Sequence, residues 1–425
     1  MAATQQLSRV YPLGSRLTER GRLEIGGCDT IELAREFGTP AYVVAEEDLR
    51  ARARAFRGAL EARHSDSAVI FASKAFPAHP ILRILAEEGL GCDVASAGEL
   101  HLALRAGFDP ARLVVHGNAK SVAELELALT KGVGHLVVDN FDEIDRLESI
   151  VATGGDAVRR GTTALLRVTP GVSGSTHAAI TTGQADSKFG FSLADAPRAI
   201  ERLRAGGALE LAGLHFHLGS QLYDLELFRA AVAAIAPLGD FPVMDLGGGL
   251  GVAYCADDDP PSIEDYIAAK VAAVHDLLGT DRRILVEPGR ALVANCCVTL
   301  YSVESVKRNV STWVAVDGGM SDNLRPMLYG ARYEVQVADR FGGGTRCHVA
   351  GKHCESGDVL ARDVELADPT VGDVLVMPAT GAYAHALANN YNGVPRPPLI
   401  ICSEGRARVG VRRETVEDLE ARDPV

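Results

Sequence analysis

The sequence predicts an α/β protein: a (β/α)8 TIM barrel joined to a second, all-β domain of sandwich or barrel type. From about Ala68, short β-branched runs alternate with Ala/Leu/Glu-rich stretches of helical period, the pattern of βα units around a parallel sheet. Eight runs are legible, at 68–72, 91–94, 113–116, 136–138, 164–168, 211–217, 243–246 and 284–286, with helical stretches such as 97–106 and 122–131 between them. Eight such units point to a closed barrel. After Arg290 the character changes to β-rich segments, at 297–306, 313–316, 333–337 and 374–377, broken by Gly, Pro and Asp turns. The expected division is therefore a barrel over 41–290 and a β domain built from 1–40 and 291–425. The first residues join the last because the barrel pattern starts late and the two ends of a domain commonly lie close together.

With 425 residues, two domains can each bury a core, and a formal charge of −13 argues against a polyanion partner, which would need a clustered basic surface. Arg406, Arg408, Arg412 and Arg413 come nearest to one, and they sit among strand-like residues as a solvated face. The eight cysteines show no C-x-x-C pair and no metal-ligand spacing. No apolar stretch reaches the ~18 residues that span a bilayer, and the N-terminus lacks the core of a signal peptide. A cytoplasmic protein that binds neither membrane nor nucleic acid is expected.

Barrels gather chemistry at the C-terminal ends of their strands. There the sequence places Lys74, Ser96, Gly117 and Asn118, Asp139, Arg167, His217, Gly247, Gly248 and Gly249, and Glu287. Any one of these would serve as a cap or turn, but together they predict an active-site rim.

Four constellations carry chemistry. Lys74, in Phe71-Ala-Ser-Lys-Ala-Phe76, leaves an apolar strand for the barrel mouth, where burial would free its amine to attack an aldehyde; a snorkelling structural lysine is the alternative. Asp245-Leu-Gly-Gly-Gly-Leu-Gly251 follows a strand with three glycines whose N–H groups can approach a phosphate, unless it is only a tight turn. In Gly213-Leu-His-Phe-His-Leu-Gly-Ser220, strand alternation puts His215 and His217 on one face. No further His/Asp set with ligand spacing accompanies them, so no metal is expected and an imidazole stacked on a flat ring is the better use. Glu287-Pro-Gly-Arg290 ends the eighth strand, where a carboxylate calls for a positive partner: a pyridinium nitrogen, or Arg290 itself.

A lysine for an aldehyde, glycines for a phosphate, a histidine for a ring face and a carboxylate for a ring nitrogen describe one cofactor, pyridoxal 5'-phosphate. Here the chain resembles the fold-type III pyridoxal-phosphate decarboxylases, and within them the bacterial diaminopimelate decarboxylases, from the Ala41 region to Glu414. The resemblance rests also on His116-Gly-Asn-Ala-Lys-Ser121, Gly183-Gln-Ala-Asp-Ser-Lys-Phe-Gly190, Asp317-Gly-Gly-Met-Ser-Asp322, Gly351-Lys-His-Cys-Glu-Ser-Gly-Asp358, Gly381-Ala-Tyr383 and Asn390-Tyr-Asn392. Ala119, Ser73 and Phe76 depart from the commonest family pattern.

The resemblance implies decarboxylation of meso-2,6-diaminopimelate to L-lysine and carbon dioxide, the last step of lysine biosynthesis. Under it Lys74 holds the cofactor covalently, His217 stacks on its ring, Glu287 meets the ring nitrogen, and Ser220, Gly247, Gly248, Gly249, Arg290 and Tyr383 complete the cofactor site. Cys354 is implied as proton donor and Glu355 as reader of the distal amino group, both reaching the site from the partner in a homodimer. Arg290, Arg325, Tyr329 and Tyr383 are implied substrate contacts, with the arginines clamping the distal carboxylate. The departures leave open a related decarboxylase acting on another amino acid or a carrier-linked substrate in specialised metabolism.

Overall fold

The computed structural model describes residues 7–154, 161–172 and 187–424. It falls into two compact units, one made of Arg52–Gly251 with Pro260–Ala291, the other of Met1–Ala51, Val252–Asp259 and Leu292–Val425.

The first unit is a closed parallel barrel. Its strands are β1 (Ser67–Ala72), β2 (Gly91–Val94), β3 (Leu113–Val115), β4 (His135–Val138), β5 (Thr163–Thr169), β6 (Leu211–His215), β7 (Val243–Asp245) and β8 (Arg283–Val286). Each pairs in parallel with the next, and β8 with β1 closes the ring. The helices between strands begin and end where local chemistry dictates. Ser121 and Glu124 form a reciprocal capping box on Val122–Lys131, and Gly132 ends that helix in the left-handed conformation. Ser96, which the sequence placed on the rim, instead caps Ala97–Ala106 by accepting from the Glu99 amide, because a serine hydroxyl at that position satisfies an otherwise orphaned N–H.

Inside the barrel, Ile70, Val114, Val137, Leu165, Ala212, Val243 and Leu285 form one apolar layer, one residue from each strand except β2. Gly91 of β2 makes the exception intelligible, since a Cβ there would lie 2.5 Å from Ile70 Cδ1 and 2.6 Å from the Arg112 carbonyl oxygen. A strand repeats its facing every second residue, so two steps beyond this layer most strands aim another side chain inward. Those side chains are Asp93, His116, Asp139, Arg167, Asp245 and Glu287, to which β6 adds His215, in register with Arg167 and Asp245. All seven are at most 7% exposed. The barrel is thus plugged by hydrocarbon and topped by a buried polar layer.

In the second unit the long strand Cys297–Arg308 pairs with Thr312–Val316, Val374–Met377 and Ala41–Ala45. Ala41–Ala45 in turn pairs with Leu399–Ser403, which pairs with Arg406–Val411. The sequence division set residue 41 at the start of the barrel, whereas the structure puts Ala41–Ala45 inside this sheet. The run Ala-Tyr-Val-Val-Ala is wholly buried, and an apolar run without alternation suits an inner strand of either sheet, so its partners decide. Among the described residues no helix is long and apolar enough to cross a membrane.

Filling the space at Gly91 tests the plug. Gly91→Ala is expected to lower unfolding stability by about 1–3 kcal/mol through overpacking against Ile70 and the Arg112 backbone. Urea denaturation midpoints of variant and parent measure this, and equal midpoints would contradict the packing described.

Candidate active site

Glu287 lies at the centre of the polar layer. Its Oε1 accepts from His116 Nε2 at 2.5 Å and its Oε2 from His215 Nε2 at 3.2 Å. Burial alone would raise this carboxyl, but the two imidazoles outweigh it and hold Glu287 well below the usual glutamate range. Burial likewise pushes His116 down to about 4 and lowers His215, so both rings are neutral N–H donors to a carboxylate. The rings meet edge to face, with centroids 4.8 Å apart. Asp245 is pushed up by burial and then by the Glu287 charge, so one acid of the pair is ionised and the other protonated.

His116, His215, Asp245 and Glu287 bring ligand-type atoms within 4.8 Å of one another. The sequence missed this set, finding no partners for the histidines, because the four residues come from four strands and share no spacing. Its hydrogen-bonding capacity is largely internal: both Glu287 oxygens accept from imidazoles and Asp245 Oδ1 accepts from the Gly247 amide at 3.0 Å. The alternative pairing of Glu287 with Arg290 is not what forms. Arg290 is buried and directs Nε and Nη2 to Ser220 Oγ at 3.1 and 3.0 Å.

Two expectations need correction. β1 ends at Ala72 and Lys74 stands on the 3-10 turn Ser73–Ala75, exposed rather than buried, because the strand stops two residues before it and the turn carries it out of the packed sheet. β6 ends at His215, so His217 lies beyond the strand and does not share a face with His215 by alternation. Instead His217 turns to the glycine segment, where its Nδ1 accepts the Gly248 N–H at 3.2 Å. Burial, then the Lys74 charge, hold its imidazole well below the usual histidine value, which leaves a neutral ring with its proton on Nε2.

The glycine segment has no room for side chains. A Cβ on Gly247 would lie 2.4 Å from the Phe216 carbonyl oxygen, one on Gly248 would lie 2.2 Å from that of Glu287, and one on Gly249 would lie 2.8 Å from Leu222 Cδ1. Gly247 and Gly249 also have φ of 60° and 120°, which side-chain-bearing residues rarely adopt. Of the three amides expected to face a phosphate, that of Gly247 is taken by Asp245 and that of Gly248 by His217.

The remaining predicted residues belong to the second unit. Arg325 opens the short helix Arg325–Tyr329 and is buried. Its guanidinium carbon lies 4.4 Å from the Tyr254 ring centroid and 5.5 Å from that of Tyr333, and Nη1 donates to the Tyr333 hydroxyl. Its Nε is buried with no hydrogen-bond partner among the described residues, an orphaned donor suited to a carboxylate. Tyr329, at the other end of the helix, is half-buried. Cys354 and Glu355 sit on an exposed turn, whose base is fixed by Asp358: that carboxylate accepts from His353 Nδ1 at 2.6 Å, the His353 amide at 2.9 Å and the Met320 amide at 2.7 Å. The Cys354 amide donates to Asn392 Oδ1 at 2.9 Å, which ties two motifs quoted separately from the sequence. Tyr383 is half-buried with φ of 63°, a conformation uncommon for tyrosine, next to a chain path where a Cβ on Gly381 would collide with the Val293 carbonyl. The segment from Gly183 to Gly190 lies partly outside the described residues.

An exposed lysine, a neutral imidazole beside a glycine turn and a buried ionised carboxylate suit an aldehyde-bearing, phosphorylated heteroaromatic cofactor. Comparison with known proteins agrees. Residues 46–294 match the family model of the pyridoxal-dependent decarboxylase, pyridoxal binding domain. The chain is 47% identical to a diaminopimelate decarboxylase of Actinosynnema pretiosum subsp. auranticum, over 97% of this chain and 95% of that one. It is 43% identical to the Bacillus subtilis diaminopimelate decarboxylase, over 95% and 96%. The crystal structure of a diaminopimelate decarboxylase from M. jannaschii in complex with L-lysine superposes with a TM-score of 0.88 at 31% identity, covering 97% of this chain and 98% of that one. The chain belongs to the pyridoxal-dependent decarboxylases, among the diaminopimelate decarboxylases of that family.

Proposed function

We propose that this chain decarboxylates meso-2,6-diaminopimelate to L-lysine and carbon dioxide with pyridoxal phosphate as cofactor. Lys74 would hold the cofactor aldehyde, His217 its ring face, Glu287 its ring nitrogen, and Ser220, Arg290, Tyr383 and the glycines 247–249 the rest of it. When bound, the cofactor supplies an electron sink for the pair released as the Cα–carboxylate bond breaks. The observation that carries the reading is Glu287, a carboxylate kept ionised by two neutral imidazoles. Such a group holds a proton on a ring nitrogen without itself being neutralised, and its fixed donors need no rearrangement as charge develops.

At the substrate's far end, the orphaned Nε of buried Arg325 favours a carboxylate over an ammonium, which separates this substrate from ornithine or lysine. Arg290, Tyr329 and Tyr383 would share that contact. Cys354 would return a proton to the substrate carbon and Glu355 would read the distal amino group. Their exposure on one turn favours a homodimer in which Cys354 of the partner subunit serves each barrel. All eight cysteines are free thiols, which suits the reducing cytoplasm.

Purified protein with pyridoxal phosphate is expected to release carbon dioxide from meso-diaminopimelate and not from ornithine, and borohydride should fix the cofactor to Lys74. Activity on ornithine alone would overturn the substrate; labelling elsewhere would overturn the site. Glu287→Gln should lower kcat on the order of 10²–10³-fold. A near-normal kcat in single-turnover measurements would remove the role given to this carboxylate. Arg325→Ala should raise KM for diaminopimelate on the order of 100-fold, since losing one side of a buried charge pair costs about 2–5 kcal/mol. Cofactor occupancy, read from absorbance, should change far less, and equal losses of both would count against the clamp.

A further inference from the structure

Lys270 is fully buried on the helix Ile263–Leu278, and the chemistry above makes no use of it. Taking an ammonium out of water costs several kcal/mol, so its partners indicate what it is for. Its Nζ donates to the carbonyl oxygens of Leu246 at 2.8 Å, Gly247 at 2.6 Å and Gly248 at 3.3 Å. The rings of Phe228 and Tyr266 lie 4.5 Å from it, faces that favour a cation. Among the described residues its hydrogen bonds go to the backbone of the glycine turn and to no carboxylate.

In a trans peptide the C=O and the following N–H point in opposite directions. Three successive carbonyls that converge on one ammonium therefore turn the N–H groups of Gly247, Gly248 and Gly249 away from it. Two of them can be followed: the Gly247 amide donates to Asp245 Oδ1 at 3.0 Å and the Gly248 amide to His217 Nδ1 at 3.2 Å, both away from Lys270, so the Gly249 amide is the one left for an anion. Left alone, a turn of three glycines has many conformations, several of which would present oxygens to an anion. We infer that Lys270 is a positioning residue for the phosphate: it gathers the carbonyls of the glycine turn behind the site and so fixes the turn with the Gly249 amide turned away from it, toward the phosphate of the cofactor.

This role rests on reading glycines 247–249 as the phosphate cradle, and it makes Lys270 matter for the phosphorylated cofactor but not for the unphosphorylated aldehyde. A lysine that merely supports the fold would matter equally for both. The test compares binding of pyridoxal phosphate and of pyridoxal to full-length apo-protein of the parent, Lys270→Met and Lys270→Gln, by absorbance titration, with borohydride trapping to confirm attachment at Lys74. By the scale of residues that orient the ligands of bound metals, Lys270→Met should raise the Kd for pyridoxal phosphate about 10- to 100-fold and shift that for pyridoxal by less than about 2-fold. Lys270→Gln, which keeps a donor, should recover part of the loss. An unchanged Kd for pyridoxal phosphate, or equal weakening toward both compounds, overturns the inference. A parent that binds the two compounds equally overturns the cradle reading and the inference with it, while carbon dioxide release judges the proposed activity separately.

Discussion

The Glu287 carboxylate is buried at 4% exposure, and a charge so placed is tolerable only because both of its oxygens meet N–H donors. The requirement spreads outward. His116 and His215 must stay neutral to leave one net charge at this point, and burial keeps them so; Asp245, close enough to feel that charge, keeps its proton. An ionised oxygen pair held by two neutral imidazoles is a directional site. It attracts a cation at the end of the barrel beyond the apolar layer.

Loops at the strand ends need comparable control, and two buried lysines supply it. Lys120 Nζ donates to the carbonyls of Gly117 at 2.5 Å and Val137 at 2.8 Å and pairs with Glu143 at 2.9 Å. Lys270 uses carbonyls alone. Lys120 joins the ends of two adjacent strands with its charge locally compensated. The Lys270 charge is not compensated by a bonded carboxylate, and burial lowers its pKa to about 7 against the pull of the ionised Glu287. The same residue type thus fastens one loop and biases the electrostatics of another.

Much of this arrangement was legible because a parallel barrel writes its layers into short β-branched runs. All eight strands lie where those runs fall, with ends displaced by a residue or two, as at His217, where the strand stops two residues early. Lys74, Glu287 and the glycines stood out by their position after a strand. His116, Asp93 and Asp245 were harder to assign, although each stands two residues beyond an apolar layer position or its β2 equivalent, a regularity that exists only once the inward face of every strand is known. Lys270 was invisible, since a lysine in a helical run normally reads as solvent-facing. Ser96 showed the opposite failure, a polar residue at a strand end whose use is purely local.

The pairing of Ala41–Ala45 with both Cys297–Arg308 and Leu399–Ser403 has a further consequence, for the order in which the protein can assemble on the ribosome. A strand made among the first residues waits for neighbours made more than 250 residues later, a span that follows from those positions. Contacts so distant along the chain form late because closing long loops is entropically costly. The barrel has all eight of its strands once β8 is synthesised, so it can fold while the strand that precedes it is still unpaired. Until Cys297–Arg308 and Leu399–Ser403 have been made, that apolar segment has neither of its sheet neighbours and is an unpaired strand edge.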